Sequence, residues 1–286
     1  MEPRYDTITF LSDYGHDDEF VGVVHSVLRQ LCPDVRVVDL THGIAPFDVR
    51  GGGLALARAA QYLTPGVVIA VVDPGVGSAR RPVAIEVADG AAVFVGPDNG
   101  LFGPAVQMVG GAIRAVWLND PEHHLESPGP LFDGRDVFAP VAAALCNGVP
   151  LEELGELVEP AGLFPGIFPL SEVGDDGALT AEVLWVDRYG NAQLNVDPTE
   201  LDELGDVFEL DLSGTRRSAR RAHHFSEVGT GAIGLVVDSY GFIAIVTDRG
   251  AAAEDLGLRA GDQLTLRPIA DEPPAGGGVT TRVELS

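Results

Sequence analysis

"GVVIAVVDPGVGSARR", residues 66–81, decides the fold class. Its opening apolar run, bounded by a turn, reads as a strand. The loop after it begins like a nucleotide-binding fingerprint, G-x-G-x-x, but Arg80 stands where a third glycine belongs. Asp73 opens the loop at the strand end. A phosphate loop offers backbone N–H groups to an anion. A carboxylate at its mouth argues instead for a neutral or cationic guest.

Outward from this stretch the pattern repeats. "TITFLSD" (7–13) is a strand ending in a polar loop, and "FVGVVHSVLRQL" (20–31) has apolar residues at helical spacing. "VRVVDLT" (35–41) reads as a strand and "RGGGLALARAAQYL" (50–63) as a helix. "VAIEVA" (83–88) and "AAVFVGPDNG" (91–100) look like paired strands, and "DVFAPVAAALCNG" (136–148) like a helix that stops at Gly148. This alternation predicts an α/β N-terminal domain with a mostly parallel sheet and helices on both faces. Functional loops then gather at the carboxyl ends of the strands. Asp13, the Thr41–Asp48 turn, Asp73 and Asp98 all fall at such ends.

The Pro- and Gly-rich stretch 159–177 reads as a linker, after which the period changes. "LTAEVLWVDRYGNAQLNV" (179–196), "VFELDLSG" (207–214), "GAIGLVVDSYGFIAIVTD" (231–248) and "DQLTLRP" (262–268) are short strands between turn signals. They predict a smaller C-terminal antiparallel β-barrel. The expected division is 1–165, a linker at 166–177, and 178–286. "RRSARRAHHF" (216–225) reads as a basic exposed loop and "DEPPAGGG" (271–278) as a frayed tail.

Composition bounds the function. In 286 residues, 45% hydrophobic content suffices for packed cores, and no apolar run reaches the roughly 18–20 residues of a membrane helix. The acidic start "MEPRYDTITFLSD" carries no signal-peptide pattern. Cys32 and Cys146 lack CxxC spacing and read as reduced core thiols of a cytoplasmic protein. The net charge of −25 disfavours nucleic acid and anionic membranes as partners. All 18 basic residues are arginine, which removes a Walker A lysine, a Schiff-base lysine and a pyridoxal-phosphate anchor.

Common catalytic patterns are missing. There is no HExxH, and the pairs His123–His124 and His223–His224 lack ligand spacing on one face, so no metal or cofactor is expected. "VDSYG" (237–241) resembles a nucleophile elbow but has Val237 in place of its first glycine. What stands out is five small polar clusters at strand ends: "SDYGHDDE", "THGIAPFD", "DPGVGSARR", "GPDNG" and "FDGRD".

With these clusters on the page, the chain resembles the S-adenosyl-L-methionine hydroxide adenosyltransferases, adenosine-forming hydrolases related to fluorinase and chlorinase. The resemblance rests on seven motifs in order: "FLSDYGHDDEFVG", "THGIAPFDV", "VVDPGVGSARR", "GPDNGLF", "FDGRDVFAP", "DRYGNAQLN" and "DSYGFIAIVTDRG". It implies attack of water or hydroxide on the ribose C5′ of S-adenosylmethionine, with methionine leaving in line. The alternatives are halide transfer, methyl transfer, and a non-catalytic protein that binds adenosine or S-adenosylmethionine.

By the resemblance, Asp73 and Arg80 match two members of an Asp-Arg-His triad. Asp133 stands in the third place, where the family most often has histidine. Asp133 then serves as base or water ligand, or raises its own pKa beside Asp73; His16 is an alternative replacement. The motifs also imply that Asp13 holds the ribose hydroxyls, Asp18 contacts the methionine amino group, and Phe47 packs on the substrate. From the second domain, Asn191 matches an adenine-binding asparagine and Tyr189 a stacking residue. Ser239 and Tyr240 match methionine-end contacts, and Thr247 to Arg249 a strand whose backbone meets adenine. Ala244 lies where a glutamate is expected in many relatives. A homotrimer is implied, with sites formed by the first domain of one subunit and the second domain of its neighbour.

Overall fold

The computed structural model describes residues 4–202, 204–212 and 214–269. The tail motif 271–278 lies outside the described residues. The chain divides into two compact units, 1–168 and 169–286.

In the first unit the strands are β1 (Thr7–Ser12), β2 (Arg36–Thr41), β3 (Gly66–Val71), β4 (Pro82–Val87), β5 (Ala92–Pro97), β6 (Ala112–Trp117) and β7 (Glu156–Val158). They form one sheet in the order β2-β1-β3-β5-β4-β6-β7. The first four neighbours are parallel, and β4, β6 and β7 continue the sheet antiparallel. Every residue of β1 and of β3 is buried because helices cover both faces; β3 is a continuous apolar run, whereas β1 also buries Thr7, Thr9 and Ser12.

The helices are α1 (Phe20–Leu31), α2 (Val49–Ala60), α3 (Gly103–Met108) and α4 (Ala139–Cys146). Val24 and Leu28 of α1 and Val141 and Leu145 of α4 share one core with Ile8, Phe10 and Ile69. Leu56 of α2 and Ala105 of α3 share another with Leu11, Val68 and Ala70. Alternate residues of β1 and β3 therefore point into opposite layers, the period of two expected of strands.

The second unit holds β8 (Glu172–Val173), β9 (Leu179–Val186), β10 (Ala192–Leu194), β11 (Val207–Leu212), β12 (Thr215–Arg221), β13 (Ile233–Val237), β14 (Ile243–Thr247), β15 (Gln263–Pro268) and the short helix α5 (Ala252–Leu256). Seven strands close as a barrel in the order β10-β14-β13-β12-β11-β15-β9, with β9 pairing back to β10. All its pairs are antiparallel except β12 with β13. β11 alternates half-buried and buried residues, the mark of a strand with one face on a core.

Two stretches differ from the sequence reading. Residues 215–221, read as a loop from 216 on, are a strand whose side chains are mostly exposed; only Ala219 is buried. Backbone pairing to β11 and β13 holds it extended, which apolar periodicity does not report. Residues 172–173, inside the expected linker, pair with β9.

Candidate active site

Four of the five polar clusters meet where topology predicts, the exception being "GPDNG" (96–100). β1 leads through α1 to β2 on one side, whereas β2 leads through α2 to β3 on the other, so the order reverses between β1 and β3. Crevices outside such switch points take ligands in open α/β sheets. A cavity of about 410 Å³ lies there, lined by Asp13, Asp18, Phe47, Asp73 and Asp133 among others. All five are residues singled out from the sequence.

Asp13 follows β1, and its Oδ2 accepts a hydrogen bond from the Phe47 backbone N at 2.9 Å. That bond steadies Phe47 at a φ of 68°, an unusual backbone for a bulky residue, with its ring largely exposed. The carboxylate that borders the cavity thus also fixes the aromatic residue beside it.

Asp73, Arg80 and Asp133 form one cluster. Arg80 Nε donates to Asp73 Oδ1 at 3.1 Å, and its Nη2 donates both to Asp73 Oδ2 and to Asp133 Oδ2, the latter at 2.6 Å. The Arg80 and Asp73 side chains are almost wholly buried, 7% and 4% exposed, and Asp133 is 18% exposed. Arg80 Nη1 is buried and makes no hydrogen bond, and the guanidinium lies over the Phe138 ring. Burial pushes the Asp73 carboxyl above its ordinary value, and the Asp133 charge adds to this against the opposing pull of Arg80. A carboxylate so placed is a better proton acceptor than an exposed one.

The glycines of "DPGVGSARR" serve loop packing. Gly77 has φ 76°, and a Cβ there would sit 2.9 Å from the Pro130 carbonyl oxygen and 2.8 Å from Leu131. The loop therefore presses on the segment that leads to Asp133. Ser78 ties its tip, donating to the Gly75 carbonyl at 2.6 Å and accepting from Arg80 N at 3.2 Å. Arg80 is thereby folded back onto Asp73.

Tyr14 is a cavity residue that the sequence reading passed over. Its ring packs edge-on to Phe10 and Phe132, and a Cβ on Gly134 would fall 2.3 Å from its hydroxyl. Burial, then the charges of Asp13, Asp73 and Asp133, push its phenol well above the ordinary range. It is a fixed neutral donor among carboxylates. Its only sequence signal was adjacency to Asp13.

Other clusters are structural. Asp98 accepts from Arg81 at 2.6 Å and from Phe164 N at 2.7 Å, while Asp48 caps α2 through Gly51 N. His16 does not line the cavity; its ring stands perpendicular to that of His42 at 5.4 Å.

In the second unit, Tyr189, Asn191, Ser239, Tyr240 and Ala244 line a cavity of about 530 Å³. Two aspartates organise it. Asp187 accepts from the backbone of Tyr189 and Asn191 at 2.8 and 2.9 Å and from Asn191 Nδ2 at 2.8 Å. Asp238 accepts from Tyr240 N at 2.8 Å and from Gln193 Nε2 at 2.5 Å. Each is an Asx turn that holds out a pair of cavity residues. Trp185 meets Tyr240 edge-on. Gln193 and Trp185 were unmarked in sequence because they sit in a strand like any core residue. Thr247 and Arg249 are not among the cavity residues. Thr247 ends β14 with a buried, unpartnered hydroxyl, whereas Arg249 lies beyond the strand at φ 54° with its side chain in solvent.

Comparison with known proteins matches each of the two units to a family domain. Residues 8–155 match the family described as SAM hydroxide adenosyltransferase N-terminal domain, and residues 181–265 the corresponding C-terminal domain. The (R)-S-adenosyl-L-methionine hydrolase of Salinispora tropica is 44% identical over 259 residues, 91% of this chain and 97% of that protein. A fluorinase of Nocardia brasiliensis is 27% identical over 302 residues, 92% of this chain and 97% of that protein. An uncharacterized conserved protein of Thermotoga maritima superposes with a TM-score of 0.84 at 30% identity, covering 91% of this chain and 99% of that one. The chain belongs to the SAM hydroxide adenosyltransferase family.

Proposed function

We propose that the protein hydrolyses (R)-S-adenosyl-L-methionine to adenosine and L-methionine. The observation that carries this reading is the Asp73–Arg80–Asp133 cluster on the cavity wall, in a chain with a hydrolase relative at 44% identity. Water donates a hydrogen bond to Asp73, which aims an oxygen lone pair at the ribose C5′. The new C–O bond forms as the C5′–S bond breaks, and the electron pair of that bond stays on sulfur. A sulfonium becomes a neutral thioether, so the leaving group needs no acid. The water proton passes to Asp73, whose raised pKa suits it to accept, and then to solvent. Arg80 keeps its charge and holds both carboxylates in place.

Asp13 is assigned to the ribose hydroxyls, Asp18 to the methionine amino group and Phe47 to substrate packing. In the second cavity, Tyr189 and Asn191 are assigned to adenine and Ser239 and Tyr240 to the methionine end. Asp133 in the usual histidine place acts as a second acceptor for the water. Thr247 and Arg249 are assigned to adenine through their backbone only.

Product analysis tests the reaction. Carboxylates at the nucleophile's position repel a halide in a partly dehydrated cavity, whereas water donates hydrogen bonds to them. Adenosine is the expected sole nucleoside product even in molar chloride. Formation of 5′-chloro-5′-deoxyadenosine at a comparable rate, or no nucleoside at all, overturns the assignment. The (S)-sulfonium epimer is expected to survive unreacted.

A homotrimer completes the proposal, with the first unit of one copy meeting the second unit of another. The division of the matched residues between two separate cavities supports it. No described helix is long and apolar enough to cross a membrane. Both cysteines are buried and free, which fits the proposed cytoplasmic location.

A further inference from the structure

His25, Asp39 and His42 converge toward the carboxyl end of β2, and none of them lines the cavity. His25 comes from α1, Asp39 from β2, and His42 directly follows that strand. His25 Nε2 lies 2.8 Å and His42 Nε2 3.0 Å from the same oxygen, Asp39 Oδ1. One ligand-type atom from each residue lies within 4.8 Å of the others, the one such group found among the described residues.

A hydrogen-bonded triad explains only half of this geometry. His25 makes an aligned bond to Asp39, but His42 does not: its Nε2 is buried and, despite the 3.0 Å approach, has no properly directed partner. The His42 side chain is wholly buried. Its Nδ1 is held 2.8 Å from Ser12 Oγ, and its ring is fixed edge-on against Phe10 at 4.6 Å. Metal-binding histidines are oriented in this way, through a hydrogen bond on the nitrogen that does not ligate. A cation bound to two atoms sits off the line joining them, so the unaligned approach of His42 Nε2 to Asp39 Oδ1 is compatible with both atoms facing one ion. A tetrahedral zinc ion sets its ligand atoms roughly 3.3 Å apart; the two nitrogen-to-oxygen separations here are a few tenths of an ångström shorter, and all three atoms lie within 4.8 Å of one another. The Asp39 and His25 side chains are 41% and 35% exposed, leaving the other coordination positions open to solvent.

We propose that His25, Asp39 and His42 form a site for a divalent transition-metal ion, zinc by preference. Two imidazoles and one carboxylate suit zinc, whereas calcium and magnesium take oxygen ligands. The acidic chain, at net −25, concentrates cations at its surface. Bound there, the ion ties α1 to β2. It also anchors the segment from His42 toward Phe47, and through Ser12 the end of β1 beside Asp13. It is a clamp behind the reaction cavity, not a participant in the chemistry, and the inference does not depend on the proposed reaction.

The test is calorimetric titration of the full-length, metal-stripped protein with Zn²⁺, and absorption spectroscopy with Co²⁺ as the visible probe. One Zn²⁺ per chain is expected, together with the visible bands of nitrogen- and oxygen-ligated cobalt. His25→Ala and Asp39→Asn change partly exposed side chains and should abolish both signals while leaving circular dichroism unchanged. Ser12→Ala, which frees the His42 ring, should weaken binding about 10–100-fold. Absence of stoichiometric binding overturns the proposal. So does binding that survives both substitutions.

Discussion

Asp73 and Asp133 share one guanidinium, and their energetics follow from that sharing. Burial and the Asp133 charge oppose ionisation of Asp73, and Arg80, which bonds both carboxylates, favours it. Because the Asp73 pKa is raised, the acid limb of kcat/KM should lie above the value of about 3.9 for an ordinary aspartate. Activity should rise with pH through that limb as Asp73 ionises. Asp133→Asn removes the neighbouring negative charge, so the limb should move to lower pH. A pH profile of the two proteins measures the displacement, and an unmoved limb would show that the two carboxylates are not coupled. Asp73→Asn should cost on the order of 10²–10⁴ in kcat while adenosine binding stays measurable. Asp73 and Arg80 stood out in sequence because they interrupt a glycine-rich loop, whereas Asp133 was marked by the family resemblance. Tyr14 was not, since an aromatic residue after a strand looks the same whether it lines a core or a cavity.

Loops and strands show where local pattern suffices and where it does not. α1 spans Phe20–Leu31, the limits that apolar spacing assigns, because one face must meet the sheet. β4 and β5 pair antiparallel as their short connection demands. The arginine-rich β12 is different: its extended form is set by backbone bonds to the strands on either side, β11 and β13, and not by apolar alternation of its own. The π-helical turn Gly134–Phe138 before α4 also carries no periodic signal. Gly77 joins element to site. Gly77→Ala should cost about 1–2 kcal/mol for the left-handed backbone alone, and the clash with Pro130 adds to it. Thermal denaturation should show a drop of about 2–4 °C per kcal/mol. Displacement of the loop should lower kcat further than the stability loss explains. Full activity in this variant would mean that the contact with the 130–133 segment does not position Asp133.

On the scale of the whole molecule, the matched residues are distributed over two compact units, each with its own cavity. Light scattering should give three times the chain mass of 30.0 kDa. Dilution or mutation to monomers should abolish turnover without unfolding either unit. A monomer that turns over at the full rate would rule out the proposed sharing of sites.

The sequence by itself determined the α/β-then-barrel order and the strand-end location of Asp13 and Asp73, which follow from apolar period and turn chemistry. Arg80 and Asp133 were assigned to the site by the resemblance of their motifs to a family, not by local pattern. Only the tertiary structure decided that Arg80 bridges two carboxylates and that Gly77 is there to let two loops touch. The same holds for the closing of the barrel by β15 on β9, and for the meeting of His25 of α1 with Asp39 and His42. Each of these is a contact between separate elements of the fold. Its geometry depends on how layers pack and how a sheet twists, and no short window of residues contains that information.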